Sequence, residues 1–221
     1  MSKPDHTAVR LIAITKPVIP ECTESGDLVA YCARASNPAN QANTETAPKL
    51  LGYLARNAHW SPFEMASMTL EIKTTRAIAR QILRHRSFSF QEFSQRYAAV
   101  AAPAVLSEAR LQDGKNRQAS IQTDDQTLRA WWLAEQKCLA RHSASIYEQA
   151  MLRGIAKEVA RNVLPEGMTE SVLYMAGTIR SFIHYCQLRC EAGTQQEHRD
   201  VALAVRGILI EQYPAISAIL S

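Results

Sequence analysis

The sequence is poor in glycine and lacks paired cysteines and long apolar stretches, and each shortage excludes a class of protein. Its eight glycines lie at least ten residues apart, so the dinucleotide fingerprint GxGxxG, the phosphate-binding P-loop and the GxSxG nucleophile elbow are absent. No uninterrupted apolar stretch reaches the ~20 residues that a membrane-spanning helix needs. Any bound nucleotide must therefore be held by side chains and helix ends.

The cysteines predict no disulfide framework and no metal site. There are five, none in a CxxC pair, and the segment 1–6 lacks the apolar region of a signal peptide. An odd count without a secretion signal favours free thiols in a reducing cytoplasm. No second pair of ligands accompanies them, so we expect no structural zinc. We expect no association with a membrane, because the sequence lacks a long apolar stretch.

The composition is that of an ordinary globular chain. It has 221 residues, of which 47% are hydrophobic and 21% charged. This length suits one large domain over residues 1–221. The net charge of +4 does not by itself imply a nucleic-acid partner. Arginine supplies 18 of the 25 basic residues, and its planar fork suits phosphates and flat ring edges, although solvated surface arginines would explain most of them.

Hydrophobic periodicity predicts a mixture of strands and helices. Residues 9–15 form a short apolar run typical of a buried strand, and 65–74 alternate as a half-buried strand does in an antiparallel sheet. Helices are predicted over about 25–34, 50–59, 76–86, 125–152, 155–164, 170–191 and 195–213. The polar segment 107–123 is predicted to be a long loop or flap. The expected fold class is α+β, an antiparallel sheet flanked by helices.

The most unusual chemistry lies in residues 84–97, with the sequence RHRSFSFQEFSQRY. Three arginines, a histidine, three serines and a carboxylate surround four aromatic rings. Such a mixture can neutralise a phosphate, stack on a ring and hydrogen-bond to its edge. A basic surface turn would have the same composition. So would an RNA-binding protein that uses this Arg/Phe-rich segment as a stacking platform, which is the alternative function.

The spacing in this segment resembles the signature of flavin-dependent thymidylate synthases, RHR-x7-S-x-R. The five fixed positions are occupied here by Arg84, His85, Arg86, Ser94 and Arg96. Other segments resemble the family in the right order: HWSPFE at 59–64, RQ at 80–81, ARNVLP at 160–165 and the stretch 180–189. The resemblance spans about residues 25–205.

The resemblance implies an obligate homotetramer whose active sites form between subunits, each binding FAD. It implies reductive methylation of 2′-deoxyuridine 5′-monophosphate (dUMP) to dTMP. Methylenetetrahydrofolate would donate the carbon and NADPH would reduce the flavin. It also implies that no cysteine acts as a nucleophile. An inactive structural homologue would carry the same resemblance.

Matching positions give the dUMP-binding residues that the resemblance implies: Gln81, Arg84, Glu92, Ser94, Gln95, Arg96, Arg161 and Arg189. Arg189 is also the catalytic residue, because a fixed cation beside the pyrimidine favours the ring deprotonated at N3. A structural role for Arg189 would instead pair it with Glu191 or Glu197. Arg161 also fits a solvated helix face together with Arg153 and Lys157.

The FAD-binding residues that the resemblance implies are His59, Ser61, Arg84, His85, Arg86, Glu92, Thr178, Arg180 and His184. Arg180 and His184 are four residues apart, so one helix face can present both. The alternative for His59 is a role in ending its helix. Thr178 and His184 stand where some members have asparagine, and 193–195 stand where some have a histidine. Trp131, Trp132 and Met151 are expected in the helix core or at an interface.

Overall fold

A computed structural model describes residues 8–100 and 102–220; the segment 1–6, in which no signal peptide was expected, lies outside them. The strands are β1 (Ala8–Ile14), β2 (Ser67–Thr75), β3 (Ser89–Glu92), β4 (Arg110–Gln112), β5 (Ser120–Gln122) and β6 (Glu170–Thr178). The helices are α1 (Ser25–Ala33), α2 (Ala47–Arg56), α3 (Arg76–Ile82), α4 (Gln126–Leu152), α5 (Lys157–Ala160), α6 (Ile179–Arg189) and α7 (Gln196–Gln212). The predicted fold class, α+β with an antiparallel sheet flanked by helices, is confirmed.

The main sheet has the strand order β1-β2-β6-β3, and all neighbours are antiparallel. Alternation along β2 directs Met68, Leu70 and Ile72 into the core, as predicted for a half-buried strand. The opposite face of β2 is polar: Glu71 accepts hydrogen bonds there from Arg10 and from the hydroxyl of Tyr174. β4 and β5 form a separate hairpin.

Helices α1, α2, α3, α6 and α7 supply the side chains that cover the apolar face of the sheet. Phe63, Phe182, Ile179, Val205 and Leu209 are fully buried in this layer. Burying such a side chain contributes about 1.5–3 kcal/mol, so this cluster holds the helices on the sheet. None of the helices in the described ranges is long and apolar enough to cross a membrane.

The predicted helix 170–191 is wrong over its first half. Residues 170–178 form β6, which pairs with β2 on one side and β3 on the other. Ser171, Leu173 and Met175 point into the core with a period of two, while the outward positions include Val172 and Ala176. Apolar side chains on both faces hide the alternation, and such a run does not distinguish a strand from a buried helix.

Four other predictions need correction. The helix expected over 155–164 is only the single turn of α5 followed by a 3-10 turn at Arg161–Val163. The helix expected over 76–86 ends at Ile82, and the segment at Ser87–Phe90, where the helical pattern breaks, leads into β3 with the serine–phenylalanine alternation of a strand. The predicted loop 107–123 contains the β4–β5 hairpin. The predicted elements β2, α1, α2, α4 and α7 are confirmed. β1 is a strand as predicted, but it is a partly exposed edge strand and not a buried one.

Close packing at the end of β6 requires a glycine. A Cβ at Gly177 would overlap the ring of Phe88 and lie 2.8 Å from its Cε1. That ring is packed edge-on against Phe182, with 4.8 Å between centroids, so it cannot withdraw freely. Gly177 therefore lets the segment before β3 lie directly on the sheet.

We predict that Gly177→Ala destabilises the protein by about 1–3 kcal/mol through overpacking. The matched control is Gly207→Ala on α7, where nothing lies within 4 Å of the added methyl group. Alanine is favoured over glycine in a helix by about 1 kcal/mol, so the control should hold or gain stability. Urea denaturation measures both, and equal stability of Gly177→Ala and the wild type would contradict the prediction.

Candidate active site

The signature residues Arg84, His85 and Arg86 directly follow α3. This helix starts immediately after β2, where the Thr75 hydroxyl accepts the backbone N–H of Ile78 and caps its first turn. Nε of Arg189, at the end of α6, donates a hydrogen bond of 3.0 Å to Nε2 of His85. The contact joins the signature to the predicted catalytic residue.

His85 is a neutral base in this arrangement. Arginine can only donate, so the His85 Nε2 facing Arg189 must carry a lone pair. Burial lowers the pKa of His85, and the positive charges of Arg189 and Arg84 lower it further. The His85 ring lies edge-on to that of Tyr185, with 5.0 Å between centroids. The imidazole therefore orients the guanidinium without adding charge.

A buried histidine that the sequence did not reveal lies beside this pair. His198 on α7 has no exposed surface. Its Nδ1 is 3.2 Å from Oε1 of Gln81, and its Nε2 is 3.2 Å from the Tyr185 hydroxyl. Gln81 also donates from Nε2 to Oε1 of Gln195 at 2.7 Å. Nothing in the pattern of α7 distinguished His198 from an ordinary helix residue.

Beside the start of α6, a cleft of about 610 Å³ opens at the end of the sheet. Arg86, Ser87, Phe88, Ser89 and Thr178 are among the residues that line it. Thr178 also caps α6, because its hydroxyl accepts the backbone N–H of Ser181 at 3.3 Å. The cleft thus combines an arginine, several hydroxyls and an aromatic ring, a set that suits a polar ligand with a flat ring.

The remaining predicted FAD residues lie along α6 and before β2. Arg180 forms an ion pair with Glu64, and the ring of His184 lies edge-on to Trp60 at 5.1 Å. Burial and the charge of Arg180 lower the pKa of His184, and Glu64 opposes this. Ser61 is exposed and starts the 3-10 turn Ser61–Glu64. Glu64 and Trp60 were missed as contacts, although the HWSPFE motif contains both.

His59 lies where α2 ends. Its backbone N–H donates to the carbonyl of Leu54, and the preceding residue, Ala58, adopts a left-handed conformation with φ of 56°. The exposed His59 ring lies edge-on to Tyr53. The backbone at His59 therefore does help to end the helix, and its side chain faces solvent.

A second group of predicted residues surrounds the far end of β3. Glu92 accepts a hydrogen bond from Ser171 at 2.7 Å and lies 3.5 Å from Nη1 of Arg76. Gln95 is 3% exposed, and its Nε2 has no hydrogen-bond partner within residues 8–100 and 102–220. A buried amide nitrogen without a partner is costly, so this group is poised for a further acceptor.

Glu158 connects the two arginines of this second group. The Nε of Arg96 lies 3.4 Å from the Glu158 carboxylate, and the Nε of Arg161 donates to the Glu158 carbonyl at 3.3 Å. The alternative that Arg161 shares one solvated helix face with Arg153 and Lys157 is wrong, because the helix ends before Gly154, where φ is 78°. Ser94 Oγ accepts the backbone N–H of Arg96 at 3.4 Å.

The structure divides the predicted dUMP residues into these two groups. β3, which spans about 10 Å from Ser89 to Glu92, lies between the segments that carry them. Gln81 and Arg84 precede β3, and Arg189 contacts His85 beside them, whereas Ser94, Gln95 and Arg96 follow β3, and Glu158 links Arg161 to Arg96. The structural pairing suggested for Arg189 with Glu197 is wrong, because Glu197 pairs with Arg110.

The fold and the site together define a class of protein. It is an α+β protein with arginine-, amide- and hydroxyl-lined clefts that suit a phosphate and the edge of a flat ring. No group of three or more His, Cys, Asp or Glu side chains in the described part of the chain could hold a metal ion.

Comparison with known proteins specifies the family. A family model described as "Thymidylate synthase complementing protein" matches residues 18–215. A probable flavin-dependent thymidylate synthase of Paramecium bursaria Chlorella virus 1 is 52% identical over 213 residues, covering 95% of this chain and 97% of the relative. A flavin-dependent thymidylate synthase of Synechocystis sp. is 50% identical over 215 residues, covering 96% and 98%. The chain belongs to the flavin-dependent thymidylate synthase family.

A solved structure agrees with this assignment. The UMP/dUMP methylase PolB of Streptomyces cacaoi, bound with 5-Br dUMP, matches with a TM-score of 0.80 and 29% identity. The match covers 96% of this chain and 93% of that one. None of these proteins is described as binding RNA, so the RNA-binding alternative finds no support among them.

We predict that stability falls with acid because of His198. Burial, with the charge of Arg189 and the repulsion from His85 when that ring is protonated, lowers its pKa from 6.5 to about 4. Below pH 6.5 the unfolded chain takes up a proton that the folded protein refuses until about pH 4. The stability from neutral His198 is thus fully present above pH 6.5 and is lost as the pH falls, by up to about 3 kcal/mol.

The measurement is the free energy of unfolding from pH 7.5 to 4.5 for the wild type and His198→Gln. The variant should depend less steeply on pH across this window. Residual acid sensitivity is expected, because the lowered pKa of His85 acts in the same direction. Identical pH slopes for the two proteins would show that His198 is not the group responsible.

Proposed function

We propose that the protein catalyses the reductive methylation of dUMP to dTMP, with methylenetetrahydrofolate as carbon donor and NADPH-reduced FAD as hydride source. The observation that carries this proposal is the hydrogen bond from Arg189 to His85, which fixes a cation beside the signature and Gln81. The direct test is anaerobic turnover with all four compounds. Formation of dTMP supports the proposal, and its absence from FAD-loaded protein would refute it.

In this proposal, dUMP contacts residues from both groups. Gln81, Arg84 and Arg189 serve the pyrimidine, while Ser94, Arg96 and Arg161 offer a hydroxyl and two guanidiniums to the phosphate. Gln95 and Glu92 complete the set. The unpartnered Nε2 of Gln95 supports a ligand acceptor at this point, because burial without one is costly.

The residues proposed for FAD have the right chemistry for its phosphates and rings. They are His59, Ser61, Arg84, His85, Arg86, Glu92, Thr178, Arg180 and His184. The cleft at Arg86 and Thr178 supplies cationic and hydroxyl donors, and Phe88 supplies an aromatic wall. Bound FAD, once reduced by NADPH, supplies the hydride that converts the transferred carbon to a methyl group.

Arg189 prepares the pyrimidine for alkylation. A fixed guanidinium beside the ring favours the form deprotonated at N3, which raises electron density at C5. Neutral His85 holds the guanidinium through Nε and leaves its two terminal nitrogens free to donate. This activation needs no covalent bond to the enzyme, so none of the five cysteines acts as nucleophile. His85 therefore orients the cation that does the work.

We propose a cytoplasmic homotetramer of one 221-residue domain with active sites shared between chains. The division of the dUMP residues by β3 supports sharing, since a second chain could complete each half. Helix α4 supports assembly: it buries only Gln136, Ser143 and Tyr147. Its exposed apolar residues Trp132, Leu139 and Ile146 recur every seven positions, which places them on one helix face.

We predict that Arg189→Lys reduces dTMP formation roughly ten- to a hundredfold while NADPH still reduces bound FAD. Lysine keeps the charge but loses the fork and the hydrogen bond to His85. A charge-assisted contact of this kind contributes about 1.5–3 kcal/mol. Single-turnover dTMP formation and flavin reduction are measured in one preparation.

The matched control is Arg199→Lys, because within residues 8–100 and 102–220 the side chain of Arg199 donates only to the backbone carbonyl of Cys190. It should retain both activities. Wild-type dTMP formation by Arg189→Lys would remove Arg189 from the catalytic role, and loss of FAD by that variant would make the residue structural.

We also predict that Leu139→Glu raises the dissociation constant of the tetramer at least about tenfold, because a charge would be buried in the α4 interface. Ala130→Glu adds the same charge on another part of the helix surface and should leave assembly intact. Sedimentation velocity over a range of concentrations reads out both. A Leu139→Glu tetramer as tight as the wild type would exclude α4 as the interface.

A further inference from the structure

One network of hydrogen bonds links the β4–β5 hairpin to Gln81, which is proposed to contact the pyrimidine. Its members are Arg110, Glu197, Gln195, Gln81, His198 and Tyr185. Arg110 donates to Oε1 of Glu197 at 2.6 Å, and Gln195 donates from Nε2 to Oε2 of Glu197 at 3.0 Å. The proposed reaction assigns no role to Arg110, Gln195 or Glu197.

The direction of these hydrogen bonds is fixed at one end. An ionised carboxylate only accepts, so Gln195 must turn its Nε2 to Glu197 and its Oε1 to Gln81. Gln81 must then present Nε2 to Gln195 and Oε1 to His198. An amide oxygen also only accepts, so His198 carries its proton on Nδ1, and its Nε2 accepts the hydroxyl of Tyr185.

The opposite end cannot set this direction, because a tyrosine hydroxyl both donates and accepts. Reversing these hydrogen bonds would place the Gln195 oxygen against the Glu197 carboxylate, two acceptors at 3.0 Å. Their repulsion is weakly screened, since the side chains of Arg110 and Glu197 are only 16% and 28% exposed. Glu197 is thus the group on which the orientation of both amides depends.

Glu197 is ionised at neutral pH. Burial raises its pKa, but the hydrogen bonds from Arg110, its own backbone N–H and Gln195 outweigh this and hold the pKa below its usual value. Its place in the first turn of α7 also favours a negative charge. His198 is neutral because burial keeps its pKa low, so its tautomer is a defined property.

We propose that Glu197, held by Arg110, is a positioning residue that fixes the amide of Gln81 and thereby selects uracil over cytosine. This rests on the proposed function, which places a pyrimidine beside Gln81. With its internal bonds made, Gln81 retains one N–H and one lone pair. These match O4 and N3–H of neutral uracil, the form in which dUMP binds before Arg189 favours loss of the N3 proton, whereas cytosine, with its 4-amino group and bare N3, needs the amide turned round.

The first test reads the tautomer of His198 by NMR of the ¹⁵N-labelled holoenzyme. The wild type should show the proton on Nδ1. E197Q removes the acceptor-only group, so the hydrogen bonds from residue 197 to Tyr185 can adopt either donor direction. His198 should then populate both tautomers. The control is Glu166→Gln. Glu166 pairs with Arg80, which lies on the same helix as Gln81, but its carboxylate is not hydrogen-bonded to any of the six residues of the network.

The second test compares the equilibrium binding of dUMP and dCMP. The wild-type preference for dUMP should fall about tenfold in E197Q and be restored in Glu197→Asp, which keeps an acceptor-only carboxylate. Glu166→Gln should keep the wild-type preference. Gln195→Ala interrupts the hydrogen-bond network but leaves the Arg110–Glu197 pair, so it should reduce the preference for dUMP as E197Q does. This variant tests the proposal if E197Q does not fold.

Each outcome bears on the proposal. A single Nδ1–H tautomer in both E197Q and Gln195→Ala, or an unchanged preference for dUMP, would overturn it. Equal weakening of dUMP and dCMP without a change in tautomer would also overturn it and make Glu197 merely structural. Failure of the wild type to bind dUMP would refute the proposed function instead, and the tautomer measurement would still show whether Glu197 orients Gln81.

Discussion

The position of every part of the candidate site depends on the backbone pairing of β6. This strand forms hydrogen-bonded ladders with β2 on one side and β3 on the other, and it runs directly into α6 at Thr178 and Ile179. The ladder with β3 fixes the signature segment, and the continuation into α6 fixes Arg180, His184 and Arg189. The hydrogen bond between Arg189 and His85 forms because one strand determines the position of both segments.

The sequence predicts the parts of the fold whose two faces differ. β2 and α7 each separate apolar from polar side chains, so their period is visible and the structure confirms both. Over β6 the sequence predicts a helix instead, because the outward face of this strand carries Val172, Tyr174 and Ala176 as well as polar ends. A central strand with apolar side chains on both faces shows no regular alternation of apolar and polar residues along the sequence.

The candidate site shows the same limit. The signature locates Arg84, His85, Arg86, Ser94 and Arg96, but spacing along the chain does not reveal that β3 separates them. His198 and Glu197 lie in a helix among other polar residues, where they look solvated. Their importance comes from burial and from donor and acceptor matching, and both properties exist only in three dimensions.

The strand order has a consequence for folding of the protein during its synthesis on the ribosome. β2 and β3 are separated by only 13 residues in sequence, yet β6 lies between them in the sheet and ends about 85 residues after β3. The edges of β2 and β3 that pair with β6 therefore remain unpaired while α4 and α5 are synthesised and leave the exit tunnel. Such late, non-local pairing slows folding and leaves the edges of β2 and β3 exposed to aggregation until β6 is made.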